Sequence, residues 1–162
     1  MRLPISRGPR LRPVTPQDAR ACHAVFRDAV MTGAKKLYPP AQRAAWAGPQ
    51  AMPDDWPDRL LAHDTWVATR GLGRIEGFVT LSAKAHIDFL YVLPAQMGRG
   101  TAARLYDQAE TCARDAGTQM MTTEASHLAR SFFTRQGWQV EGRQSVIRDS
   151  VAITNYRMFK VF

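Results

Sequence analysis

The stretch Ile87-Asp88-Phe89-Leu90-Tyr91-Val92-Leu93-Pro94 runs directly into Ala95-Gln96-Met97-Gly98-Arg99-Gly100-Thr101-Ala102-Ala103. Its first half alternates apolar side chains, is rich in β-branched and aromatic residues, and ends at a proline, so it reads as a strand. Its second half is a short glycine-bearing loop that opens a helix running to about Ala116. A strand, a loop with bare backbone and a helix N-terminus together make a phosphate cradle. Glycine lets an anion approach main-chain N–H groups, and the helix dipole adds about half a positive charge. The expectation is a phosphate-bearing cofactor at this turn.

Around this stretch the chain reads as one soluble unit over residues 1–162, large enough to bury a core without staples. No apolar run approaches the ~20 residues that a membrane-crossing helix needs, and Met1–Arg7 lacks the apolar centre of a secretion signal. Cys22 and Cys112 fall in helical patterns without metal or redox spacing, as expected of small thiols in the cytoplasm. The net charge is +8, and half of that excess is Arg2, Arg7, Arg10 and Arg12, in a first dodecad without any acid. Residues 1–9 therefore read as a loose basic arm. Elsewhere both signs are interspersed and no nucleic-acid-binding motif occurs, so nucleic acid is not the expected partner. A positive surface also steers a polyanionic cofactor.

The remaining elements follow from periodicity and punctuation. A strand is expected over Arg10–Val14, then a helix capped by Thr15 with proline in its first turn. The proline-interrupted, aromatic segment from Lys35 to Pro57 reads as a cap, with short helices at Ala41–Ala47 and Trp56–His63. Trp46 and Trp56 are either packing residues or walls of a substrate pocket. Strands are expected at Thr65–Thr69, Ile75–Leu81, His86–Leu93, Gln119–Glu124, Trp138–Arg148 and Val151–Phe162. Ser126 reads as the cap of a helix stopped at Gly137. The order β-α-α-β-β-β-α-β-α-β-β forces one right-handed parallel crossover and leaves the other neighbours antiparallel.

In this order and in two motifs the chain resembles the GNAT superfamily of N-acetyltransferases, from Leu11 to the last strand. Leu90 to Ala103 is similar to that family's acetyl-CoA loop, Q/R-x-x-G-x-G/A. Ala129-Arg130-Ser131-Phe132-Phe133-Thr134-Arg135-Gln136-Gly137-Trp138 is similar to its A-x-x-F-Y-x-x-x-G-F segment. The resemblance implies an α/β fold: a mixed, mostly antiparallel sheet, helices on both faces, and one splayed parallel strand pair. It implies acetyl-CoA as acyl donor, without a metal. Backbone groups of Gly98, Arg99, Gly100, Thr101, Ala102 and Ala103 would hold the pyrophosphate. Leu90, Tyr91 and Val92 would pair with the pantetheine arm as with an added strand. Ser126 stands where relatives place a polar side chain near pantetheine, and reads equally as a plain helix cap.

Two positions depart from the family pattern. Met97 replaces the usual Gln or Arg. Phe133 replaces a tyrosine that protonates the departing thiolate in many relatives, which leaves Tyr156, Ser131 or an unassisted thiolate. Catalysis implied by the resemblance is direct attack of a neutral amine on the thioester, the oxyanion being met by an N–H of Leu90–Val92. His86 aligns with the glutamate base of the family's histone-acetyltransferase branch, and a neutral imidazole is a competent base near pH 7. Period-two counting puts His86, Asp88, Leu90 and Val92 on one face and Ile87, Phe89 and Tyr91 on the other, unless a bulge shifts the facing. That counting makes Asp88 a helper for His86; a polar pair at a strand end is the competing reading. Glu124 and His127 are second choices. The acceptor is left open among small amines, amino acids, antibiotics and protein amino groups. A non-catalytic acyl-CoA-binding module is the alternative function, and the last strands leave a homodimer open.

Overall fold

The computed structural model describes residues 8–162. Most of the basic arm expected over residues 1–9 lies outside the described residues. Seven strands form one sheet: β1 Arg10–Pro13, β2 Asp64–Arg70, β3 Arg74–Leu81, β4 His86–Val92, β5 Met120–Ala125, β6 Gln139–Arg148 and β7 Val151–Val161. Their spatial order is β1-β2-β3-β4-β5-β7-β6, and β4–β5 is the parallel pair. Five α-helices cover it: α1 Ala19–Asp28, α2 Pro40–Ala47, α3 Trp56–Leu61, α4 Thr101–Asp115 and α5 His127–Arg135.

The helices divide between the two faces by the apolar stripes they carry. Leu105, Tyr106, Ala109 and Ala113 of α4 and Phe133 of α5 pack on Val79, Ile87, Val92, Met121 and Met158. The alanines let α4 lie close on the sheet. On the opposite face Cys22, Val25 and Phe26 of α1 meet Trp56 and Leu60 of α3 over Val67, Phe78 and Phe89. Trp56 is a packing residue: it is buried, and its indole N–H donates to the Ala19 carbonyl at 3.0 Å. Trp46 is half-buried and faces a cavity.

Thr15 begins a short 3-10 turn, Pro16–Asp18, ahead of α1, and a π-turn over Ala29–Gly33 extends that helix. Asp18 accepts from the Thr15 N–H at 2.8 Å and takes both arms of the Arg12 guanidinium at 2.7 and 2.9 Å. The Arg12 bond, opposed by burial and aided by Thr15, lowers the Asp18 carboxyl from an ordinary 3.8 to about 2. Because the folded value lies below the unfolded one, this stabilisation is complete at neutral pH and is lost as pH falls from about 4 toward about 2. Asp18→Asn is expected to cost about 1–3 kcal/mol at pH 7. Urea denaturation across pH checks it: the gap between wild type and variant should close over that acid interval.

Candidate active site

The parallel contact between β4 and β5 stops almost as soon as it starts. Only His86↔Thr122 and Ile87↔Thr123 are paired, after which the strands part. The Thr123 hydroxyl donates to the Ile87 carbonyl at 2.8 Å, closing the last rung. On the other side of β4, the register against β3 jumps from Thr80↔Phe89 to Leu81↔Ile87, so Asp88 is an extra, bulged residue.

The bulge corrects the period-two facing expected for this strand. Ile87 joins Leu90 and Val92 in the core under α4 and α5, whereas Phe89 and Tyr91 pack toward α1 and α3. Alternation from Ile87 then separates His86 from the Leu90–Val92 face. The expected His86–Asp88 pairing does not form either: the His86 ring meets the Thr122 hydroxyl through Nδ1 at 2.9 Å, and Asp88 is exposed. Nε2 of His86 has no partner among the described residues. Both side chains line the same cavity.

Beyond the bulge, β4 offers main-chain groups to the gap. The Leu93 N–H donates to the Glu76 carbonyl at 2.8 Å. In an antiparallel ladder bonded positions alternate, so Tyr91 is bonded to Phe78, while Leu90 and Val92 turn their N–H and C=O groups toward β5. No strand meets them there. Tyr91 contributes its side chain instead. Its phenol is raised to about 12 by burial and by Asp88, with Trp46, Arg148 and Arg59 acting in the opposite sense.

The glycine loop lies at the end of this gap. Gly98 and Gly100 adopt φ values of +74° and +87°, a left-handed backbone that other residues reach only with strain. Gly100 is the N-cap of α4, and the first bond of that helix is Arg104 N–H to the Gly100 carbonyl. The amides of Thr101, Ala102 and Ala103 are therefore unpaired, as in any helix first turn. Those of Gly98 and Gly100 also lack partners among the described residues, whereas Arg99 N–H is committed to the Gln96 carbonyl at 3.3 Å.

The loop is braced from below. Thr101 is fully buried and its hydroxyl donates to Glu76 at 3.1 Å; Glu76, also buried, takes two bonds from Arg70 at 2.9 and 3.2 Å. Met97 packs its side chain on Gly33, where an added Cβ would come within 2.5 Å of Met97 Cε. This contact is the structural use of the residue that departs from the motif.

A cavity of about 860 Å³ joins these parts and runs through the gap from the α4–α5 side to the α1–α3 side. Leu90, Val92, Gly98, Gly100, Ala102, Ala103, Ser126 and Phe133 line it, as do Trp46, Arg59 and Glu124. Ser126 both caps α5, accepting from Ala129 N–H at 3.1 Å, and borders the cavity. Phe133 is buried against Trp138 at 4.8 Å between ring centres. The two hydroxyls considered as proton donors in its place lie elsewhere: Ser131 is exposed, and Tyr156 is bonded to His127 Nδ1 at 3.1 Å, neither reaching the cavity wall. Burial, reinforced by Arg143 and Arg130, lowers the His127 pKa.

Residues 30–160 match the family model described as acetyltransferase (GNAT) domain. The chain is 30% identical over 149 residues to the uncharacterized N-acetyltransferase YafP of Escherichia coli K12, covering 92% of this chain and 93% of that protein. A GCN5-related N-acetyltransferase structure from Rhodopseudomonas palustris superposes with a TM-score of 0.90 at 32% identity, covering 98% of both chains. The PaiA N-acetyltransferase of Thermoplasma acidophilum, solved with coenzyme A, shares the fold at a TM-score of 0.74 and 16% identity, over 96% of this chain and 100% of that one. With the splayed strands and the amide-lined loop, these matches define the class: the chain belongs to the GNAT superfamily. It is a GNAT-type N-acetyltransferase.

Thr101→Val keeps the shape of the side chain and removes its bond to buried Glu76. It is expected to lower stability by about 1–3 kcal/mol, and a melting curve that does not move would refute the brace.

Proposed function

We propose that this enzyme transfers the acetyl group of acetyl-CoA to a primary amine by direct attack. The observation that carries this reading is the set of unpaired main-chain groups: five amides at the glycine loop, and Leu90 and Val92 along the gap. The loop amides at Gly98 and Gly100 are open to an incoming anion, and the strand groups border the cavity. A diphosphate suits the loop amides beside a helix N-terminus, and an amide-bearing arm suits the strand edge. The two ends therefore fit the two halves of coenzyme A.

Acetyl-CoA, when bound, supplies an activated thioester. The chain's own groups do the rest. The Leu90 or Val92 N–H, turned into the gap, meets the thioester oxygen as it gains charge. His86, fixed through Nδ1 by Thr122, receives the proton of the incoming ammonium through Nε2 or a water. Asp88 and Glu124, both on the cavity wall, hold positive charge near the gap. Transfer forms a C–N bond and breaks the C–S bond, whose electron pair leaves on sulfur. Two protons leave the nitrogen in all: the first passes by way of His86 to solvent, the second, lost as the amide forms, neutralises the sulfur, and Ser126, whose hydroxyl hydrogen has no acceptor among the described residues, hydrogen-bonds to that sulfur. A thiol of pKa about 8.5 is a fair leaving group without a tyrosine. The free cysteines Cys22 and Cys112 suit a cytoplasmic setting.

Calorimetry with acetyl-CoA tests the clasp. Gly100→Ala puts a left-handed alanine at a cost of about 1–2 kcal/mol, which the free loop escapes by leaving the geometry that binding needs, so affinity should fall by up to about tenfold; a wild-type protein that does not bind ends the proposal. His86→Ala should abolish the acid limb of the pH profile of kcat/KM, read by thiol release. An unchanged profile removes His86 as base, and release above the no-protein rate for any amine excludes a binding-only module.

A further inference from the structure

The cap-side half of the cavity carries polar groups that the transfer chemistry does not use. Asn155 Oδ1 is the one buried side-chain polar atom among the described residues without a hydrogen-bond partner. Asn155 sits on β7 two residues after Ile153, which packs under Tyr38, so alternation turns it to the same face, and it lines the cavity. A sheltered, unsatisfied amide oxygen calls for a donor. At the outer rim stand two arginines from distant parts of the chain. Arg59 of α3 lies over the Phe89 ring at 5.0 Å, and Arg148 ends β6 two residues after Val146, which packs on the Ala34, Tyr38 and Ile153 cluster. Both line the cavity, and neither has a carboxylate partner, Asp149 included, among the described residues.

The cavity wall therefore carries both signs of charge: Asp88 and Glu124 come from β4 and β5, the strands that bound the gap, and the guanidiniums come from α3 and the end of β6. Neither guanidinium is bonded to a carboxylate among the described residues, and a guanidinium fork matches a carboxylate in shape. Resting on the acetyltransferase reading above, we propose that the acceptor is a zwitterionic amine of amino-acid type with an apolar side chain. Arg59 and Arg148 hold its carboxylate, and Asn155 Oδ1 accepts an N–H of its amino group. The acetyl transfer itself is the step already balanced above.

The test is thiol release with acetyl-CoA and matched acceptors: L-phenylalanine against phenethylamine, and L-leucine against isoamylamine, each pair differing by the carboxylate. The carboxylate-bearing member should be preferred in kcat/KM by at least about tenfold, the scale of a charge-assisted bidentate contact. Arg59→Gln and Arg148→Gln should each erode that preference by raising KM for the amino acid. Asn155→Ala should raise KM for both members of a pair. Acetyl-CoA affinity by calorimetry, retained in all three variants, shows that they are folded. Equal or inverted preference, or a preference that survives both arginine substitutions, overturns the proposal. So does acetylation of none of the four amines by a protein that binds acetyl-CoA, in which case the parent reading stands. Failure to bind acetyl-CoA at all would sink both.

Discussion

Two strands that begin as neighbours and then separate create everything functional in this molecule. At His86 and Ile87, β4 is a partner of β5; one residue later the Asp88 bulge turns it aside. In a continuous sheet the N–H and C=O groups of Leu90 and Val92 would be consumed by β5. The separation leaves them facing a cavity, and such groups are stable in a protein interior only when something else bonds them. The Thr123 hydroxyl settles the Ile87 carbonyl at the fork, which limits the opening to the residues beyond it. Without that fork the glycine loop would be an anion site at a sheet end, with no path for an acyl chain.

The loop owes its placement to buried polar chemistry beneath it. Glu76 is enclosed in the sheet and held by Arg70 and Thr101, while its carbonyl takes the Leu93 N–H. A buried carboxylate is costly unless its charge and lone pairs are met, so strand β3 and helix α4 are tied at one point. From the other direction Met97 anchors the loop on Gly33. The main-chain amides are thereby presented by a rigid frame rather than by a flexible turn.

The aromatic cap is fixed in the same manner. The Tyr38 hydroxyl donates to the Thr154 carbonyl at 2.8 Å and accepts from the His127 N–H at 2.9 Å. One side chain thus joins the cap to β7 and to the start of α5. Phe26 stacks on Trp56, and Phe89 meets Trp56 at a tilt, so the cap-side half of the cavity is walled by packed rings.

Local features were legible in the sequence because local chemistry decides them. Thr15 and Ser126 begin helical segments, Gly100 precedes α4 and Gly117 follows it, and the strand boundaries differ from expectation by a residue or two. The element order alone required one parallel pair, and the glycine loop announced an anion site through residues adjacent in the chain. The tertiary structure alone decided which way side chains face beyond Asp88, because a bulge depends on the register against β3. It alone joined Thr101 to Glu76, took Tyr156 away to His127, left the Asn155 amide oxygen without a partner, and put Arg59 and Arg148 on the wall of one cavity. Each of these relations spans many residues of chain. Period and propensity describe a residue's neighbours in sequence, whereas hydrogen-bond satisfaction and charge pairing depend on neighbours in space.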